Sequence, residues 1–343
     1  METKLNYKRT FLIGLAFLSI CSFWQMYDNI IPLILQNTYH LGETMTGAVM
    51  ALDNVLAIFL LPVCGMLSDK VHTKLGRRMP FIVAGTILAV IFMMMLPMID
   101  NAEKARWATG GSFSNQVFFL GVLFLTLVSM GLYRSPAVAL MPDVTPNHLR
   151  SRANAVINLM GAVGGVYALI MIKVLVGKGE TPDYLPLFAS IAAVMAIAVG
   201  ILVITIRENK LREEVEKAEA ANADTIEEKA MAEGVEAAGE IEAVGDTGET
   251  KAFEEKQQTA KTESAKDMPK DVKRSMYFML ASIFLWFTAY NAVTTAFSRY
   301  TKVVWKMEGG SFANCLMVAT VAAIFSYIPI GSISAKIGRK KTI

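Results

Sequence analysis

Gly65-Met-Leu-Ser-Asp-Lys70, resumed at Gly76 as Gly-Arg-Arg-Met-Pro80, is a short basic stretch set between two apolar runs. Each flanking run can cross a bilayer, since a spanning helix needs about 20 mostly apolar residues. A shortened echo stands near the other end: Gly331-Ser-Ile-Ser-Ala-Lys336, then Gly338-Arg-Lys-Lys341. Two such loops at comparable points imply one membrane bundle, a connecting segment and the opening of a second copy.

Outward from the first loop, the hydropathy pattern gives roughly eight spans. They fall at about 10–35, 46–67, 81–99, 116–141, 153–176 and 185–206, and then at 276–300 and 312–335. A polar stretch, Asp100 to Asn115, separates the third from the fourth. Composition agrees: 54% hydrophobic with 18% charged residues is a balance soluble domains rarely show. The predicted fold class is therefore all-α, a polytopic membrane protein. It comprises a six-helix N-terminal bundle (1–206), a charged cytoplasmic linker (207–275) and the first two helices of a C-terminal bundle (276–343). A complete second half needs about four more helices, so the chain reads as truncated, a fragment or an interrupted gene.

Charge placement sets orientation. Lys4, Lys8, Arg9, Lys70, Lys74, Arg77, Arg78, Arg150, Arg152 and the Lys336–Lys341 cluster share one side, and the opposite side carries fewer cations. By the positive-inside rule the N-terminus and the linker are cytoplasmic in a multi-pass protein of the cell membrane. Basic residues that flank apolar runs face an anionic bilayer surface and not nucleic acid, despite a formal net charge of +3. More than half of the 30 acidic residues lie between Arg207 and Arg274. The start of that segment, 207–232, has the composition to prolong the sixth helix. Beyond Gly234 it cannot bury enough apolar area to fold, which leaves a solvated tether or a regulatory segment.

Enzyme chemistry is not indicated. His40, His72 and His148 are scattered, Cys21, Cys64 and Cys315 sit inside apolar runs, and there is no P-loop or dinucleotide fingerprint. No metal and no cofactor are expected. Energy is left to an ion gradient, H+ or Na+, or to facilitated diffusion.

Ionisable residues inside spans are costly and by default functional. Asp28 and Asp53 fall at similar depth on consecutive helices; they are either a cation- or substrate-binding pair or satisfied structural groups. Arg134 is the other intramembrane charge, on the fourth span, where carbonyls beside Pro136 can pair with it. Tyr27-Asp28 in the first span is matched by Tyr290-Asn291 in the seventh, which marks an internal repeat. Trp24 and Trp286 lie at mid-depth, where an aromatic ring either stacks on the C–H face of a sugar or simply packs against neighbouring helices. Gln25, Tyr27, Tyr290, Asn291, Thr294 and Ser298 could bond hydroxyls. On the fifth span, Asn154 and Asn158 line a cavity or bond a neighbour, and Gly161 and Gly165 read as close-packing positions.

The Gly65-x-x-x-Asp69-Lys70 loop with Gly76-Arg77-Arg78 resembles the signature loop of the major facilitator superfamily. The long spacer, Gly-Arg-Arg-Met-Pro-Phe, and Tyr133-Arg-Ser-Pro-Ala-Val-Ala-Leu-Met-Pro-Asp143 resemble the branch of plant sucrose transporters and bacterial glycoside–cation symporters. The resemblance implies alternating access, with Gly65 allowing close helix approach. It also implies a conformational latch among Asp69, Arg77, its neighbour Arg78, and Asp143. The second loop has Ala335 where that pattern wants Asp, implying a weaker latch. The implied function is secondary transport of a small molecule, a sugar or glycoside, coupled to H+ or Na+. Asp28, Asp53, Arg134, Trp24, Tyr27, Asn158, Tyr290 and Asn291 are then its substrate- and cation-binding candidates. The rivals are a drug or lipid exporter of the same superfamily and a non-transporting membrane partner or sensor. Oligomeric state is open.

Overall fold

The computed structural model describes residues 5–71, 73–110, 115–146, 149–179, 181–217 and 270–337. Its helices are α1 (Tyr7–Asn37), α2 (Glu43–Lys70), α3 (Met79–Ala108), α4 (Gln116–Asp143), α5 (Arg150–Leu175) and α6 (Leu185–Thr205), then α7 (Lys270–Val304) and α8 (Ala313–Ile337). Seven of them are long and apolar enough to cross a membrane among the described residues, and Ala313–Ser326 of α8 forms a shorter apolar helix. All eight predicted spans are helical. Most of the predicted linker (218–269) and the second basic cluster (338–341) lie outside the described residues.

The chain divides into two units. One holds residues 1–216 with 294–343, and the other residues 217–293. In the first, α1 packs along α5, α3 along α4, and α6 against both α1 and α3. These contacts bury large side chains completely, among them Phe23, Tyr27, Ile30, Phe119, Tyr133 and Phe188. In bilayer there is little hydrophobic drive between helices, so close backbone approach carries much of the packing. A Cβ on Gly164 would stand 2.1 Å from the Leu18 carbonyl oxygen, and one on Gly85 would stand 2.7 Å from the Tyr133 nitrogen. Gly161 and Gly165 do belong to the α1–α5 contact, but Gly164 is where the backbones meet. Ser22 adds a bond across it, donating to the Gly164 carbonyl at 2.8 Å.

Three expectations need correction. The polar stretch from Asp100 does not end α3, which continues to Ala108. Asp100 is fully buried and pairs with Lys104 at 2.5 Å one turn on, while Glu103 accepts the Asn115 N–H at 3.0 Å. Second, α6 is not prolonged by 207–232. Ile206 is extended (φ −100°, ψ 111°), and a new short helix occupies 208–217. Third, the linker does not begin at 207. Glu208, Leu211 and Val215 are buried against the bundle, and the first unit runs to Glu216.

The later part of the first unit closes on the end of the bundle opposite the basic loops. Arg299 donates to the Asn37 side chain at 3.2 Å, Ser298 and Thr301 are buried, and a Cβ on Gly310 would meet the Ile172 carbonyl oxygen at 2.2 Å. In the second unit Trp286 stacks on Tyr290, ring centroids 6.1 Å apart, with Asn291 exposed beside them.

Gly164→Ala should part α1 from α5 and cost about 1–3 kcal/mol, as overpacking does. Gly200→Ala, with no atom within 4 Å of the added methyl, should lose nothing. Thermal unfolding of the two variants in detergent checks this. An unchanged midpoint for Gly164→Ala would contradict the packing described.

Candidate functional site

Two charged clusters stand out, one within the bundle and one at its basic end. The inner one is organised by Tyr133-Arg134-Ser135 on α4. Successive residues on a helix point about 100° apart, so three in a row can face three different neighbours. Tyr133 donates to the Ala16 carbonyl of α1 at 3.0 Å, and Ser135 donates to the Leu61 carbonyl of α2 at 2.8 Å. Arg134, between them, enters the cleft where α1, α2 and α4 meet. Its guanidinium carbon sits 5.5 Å from the centre of the Trp24 ring, a cation–π contact.

Asp53, Trp24, Leu60, Leu127, Gly131 and Arg134 line this cleft, whose volume is about 20 Å³. That is room for a single water, far short of a sugar. Arg134 and Asp53 interact electrostatically, and so do Asp53 and Asp28, one turn beyond Trp24 on α1. Asp53 also accepts the Asn54 side-chain N–H at 2.9 Å. Among the buried donors that lack a hydrogen-bond partner within the described residues, the Trp24 indole N–H and the Tyr27 hydroxyl stand in this region. Tyr27 is only 1% exposed, so an unmatched hydroxyl there is costly.

Of the predicted binding residues, the fold therefore gathers Trp24, Tyr27, Asp28, Asp53 and Arg134. Asn158 is exposed on α5, with Asn154, and does not line the cleft. Tyr290 and Asn291 belong to the second unit.

At the basic end, Thr73 to Gly76 form a closed turn, with Thr73 donating its hydroxyl to the Gly76 carbonyl at 2.6 Å. Gly76 has φ +125°, a left-handed value that glycine adopts without strain. The next residues open α3, where four backbone N–H groups of a helix start have no partner within the helix. Glu208 supplies one. Its carboxylate accepts from the Arg77, Arg78 and Met79 nitrogens at 2.9–3.0 Å and is itself 1% exposed. A Cβ on Gly76 would collide with it at 2.1 Å.

With the helix end fixed, the arginines turn outward to two aspartates. Arg78 reaches Asp69 at 2.7 Å and Asp143 at 2.9 Å; Arg77 reaches Asp143 at 2.9 Å and Asp69 at 3.6 Å. The Asp143 hydrogen bond and the neighbouring carboxylates raise the Arg77 pKa although partial burial opposes the charge most strongly of any single influence. Arg78 is the more buried of the two, at 5% exposure, and also donates to the Gly65 carbonyl and the Ser68 hydroxyl.

Gly65 thus acts differently from expectation. A Cβ there would meet Ser135 at an ordinary 3.4 Å, so its carbonyl matters more than its missing side chain. Close approach of α2 to α4 is allowed instead by Gly131, which faces Leu60. Sequence reasoning missed Glu208, Tyr133 and Ser135 as organising residues.

The major facilitator superfamily model matches residues 8–343, essentially the whole chain. The chain belongs to that superfamily. Among curated proteins, its relatives include sucrose transport protein SUC4 of Arabidopsis thaliana, 37% identical over 117 residues (32% of this chain, 22% of the relative). Sucrose transport protein SUT3 of Oryza sativa subsp. japonica is 26% identical over 137 residues, or 38% of this chain and 27% of the relative. Sucrose transport protein SUC3 of Arabidopsis thaliana is 28% identical over 120 residues (33% and 20%). The matched regions span between a fifth and just over a quarter of the length of these relatives.

Glu208→Gln puts an amide donor against backbone N–H groups and should cost about 2 kcal/mol, the scale of hydrogen bonds to a charged group. Asn209→Ala, which removes exposed bonds to the Thr73 and Lys74 carbonyls, should cost well under half of that. Denaturation in detergent ranks the two. The opposite order would show that the helix end does not rely on the carboxylate.

Proposed function

We propose that this protein is a secondary transporter of a sugar or glycoside, driven by a proton or sodium gradient and working by alternating access. Superfamily membership and the sucrose transporters among its relatives support a transporter and not an enzyme. The observation that carries the reading is the inner cleft, where Asp53, Arg134 and Trp24 meet beside the unmatched Tyr27 hydroxyl. A cation and a carboxylate held apart in apolar surroundings suit binding and release of a coupling ion. An indole face with a free N–H, flanked by a phenol, suits a polyhydroxylated ligand that presents both C–H faces and hydroxyls. In this reading Asp28 and Asp53 hold the coupling ion, Arg134 tunes its release, and Trp24 and Tyr27 contact the sugar in a conformation that widens the cleft beyond the single-water volume it has here.

The paired arginines and aspartates at the basic end serve as the latch. They close one conformation and part as the bundle tilts. By the placement of Lys and Arg, that end and the N-terminus face the cytoplasm.

In proteoliposomes of the intact protein, Asp28→Asn should abolish gradient-driven accumulation of labelled sucrose while leaving sucrose counterflow within about threefold. Asp53→Asn should do the same more weakly. Loss of both accumulation and counterflow would move Asp28 into the sugar site, and unchanged accumulation would remove it from the mechanism.

A further inference from the structure

A second polar feature lies at the basic end and takes no part in the latch. A groove of about 480 Å³ opens between the start of α1 and residues 205–214. Lys8, Arg9, Arg207 and Lys210 ring it, over a floor that includes Leu12, Ile206 and Leu211. Glu214 is its one carboxylate and is already committed, pairing with Arg9 at 2.8 Å across the groove. Lys8, Arg207 and Lys210 form no ion pair among the described residues.

Position narrows the ligand. Both walls stand where membrane helices end, α1 beginning at Tyr7 and α6 finishing at Thr205. The residues leading away from the groove into the spans are apolar and exposed: Tyr7 and Phe11 on α1, Ile201 and Ile204 on α6, the last at 81% exposure. The surface therefore passes from unpaired cations to hydrocarbon-facing side chains within about one helical turn. A soluble anion would use only the first part. A phospholipid uses both, with its phosphate among the cations and its acyl chains along the apolar helix faces. A zwitterionic headgroup would bring its own ammonium into a ring of cations, so a net-anionic one is favoured.

We infer that this groove binds the headgroup of an anionic phospholipid of the leaflet at the basic end of the bundle. The site is independent of the sugar-transport reading. It is linked to the α3 helix end next to the latch, because its lining residues Arg207, Lys210 and Leu211 flank Glu208, the partner of that helix end. Headgroup occupancy would hold that segment against α1 and so keep Glu208 in place.

The test uses the purified full-length protein in detergent, titrated with phosphatidylglycerol and separately with phosphatidylcholine, with bound-lipid adducts read by native mass spectrometry. Phosphatidylglycerol should be retained about tenfold better, and Lys8→Gln with Lys210→Gln should weaken it about tenfold. Lys74→Gln with Arg152→Gln, which removes equal charge elsewhere at the same end, should change it by less than about twofold. Equal retention of the two lipids by the unaltered protein would overturn the inference, as would equal weakening by the two double variants. Displacement of phosphatidylglycerol by about 10 mM inorganic phosphate would also overturn it, making the groove a site for free anions.

Discussion

A guanidinium buried at the end of a membrane helix must be surrounded by acceptors, and Arg78 sets that requirement for the whole basic end. Its charge is costly in a low-dielectric setting unless every donor is met. The chain meets it from distant places: Asp69 at the end of α2, Asp143 at the end of α4, and the Gly65 carbonyl within α2. Behind the guanidinium, the Arg78 backbone N–H is held by Glu208. Three helix ends and the segment after α6 thus become one charged knot, and the helices behind it are joined by close backbone contact and a few neutral hydrogen bonds.

The inner cleft obeys the same rule less completely. There the protein leaves Arg134 without a carboxylate inside ion-pair distance among the described residues, and leaves an indole N–H and a phenol without acceptors. Arg78 at the basic end has its charge met on every side, whereas Arg134 at mid-depth has only the Trp24 ring at close range. Tyr133 and Ser135 keep α4 bonded to α1 and α2 on either side, so Arg134 can change its surroundings without loosening the helices.

The spans and the basic loop were legible in the sequence because apolar length and charge placement are local signals. Asp69, Arg77 and Asp143 were legible as partners only through a motif. Other features left no local trace. Glu208 is one acid in a long acidic segment, and nothing at that position announces that its carboxylate turns back to a helix end more than a hundred residues earlier. The kink at Ile206 was equally silent, because an Ala-, Glu- and Lys-rich continuation favours helix and tertiary bonding overrides it. Gly161 and Gly165 share a visible four-residue stripe, but it is the interposed Gly164 that faces the α1 backbone, a matter of helix rotation that spacing does not fix. Gly65 drew attention as a small residue and turned out to contribute a carbonyl.

The reach of Glu208 has a consequence for how the protein is made. The Arg77 amide and its carboxylate partner are separated by 131 residues. At ribosomal speeds that interval lasts on the order of 10 s. Throughout it, the Arg77, Arg78 and Met79 amides at the start of α3 are without the carboxylate that meets them in the folded protein. Only when the sixth span and the few residues after it have been made can those bonds form, so this corner of the bundle is closed from its C-terminal side.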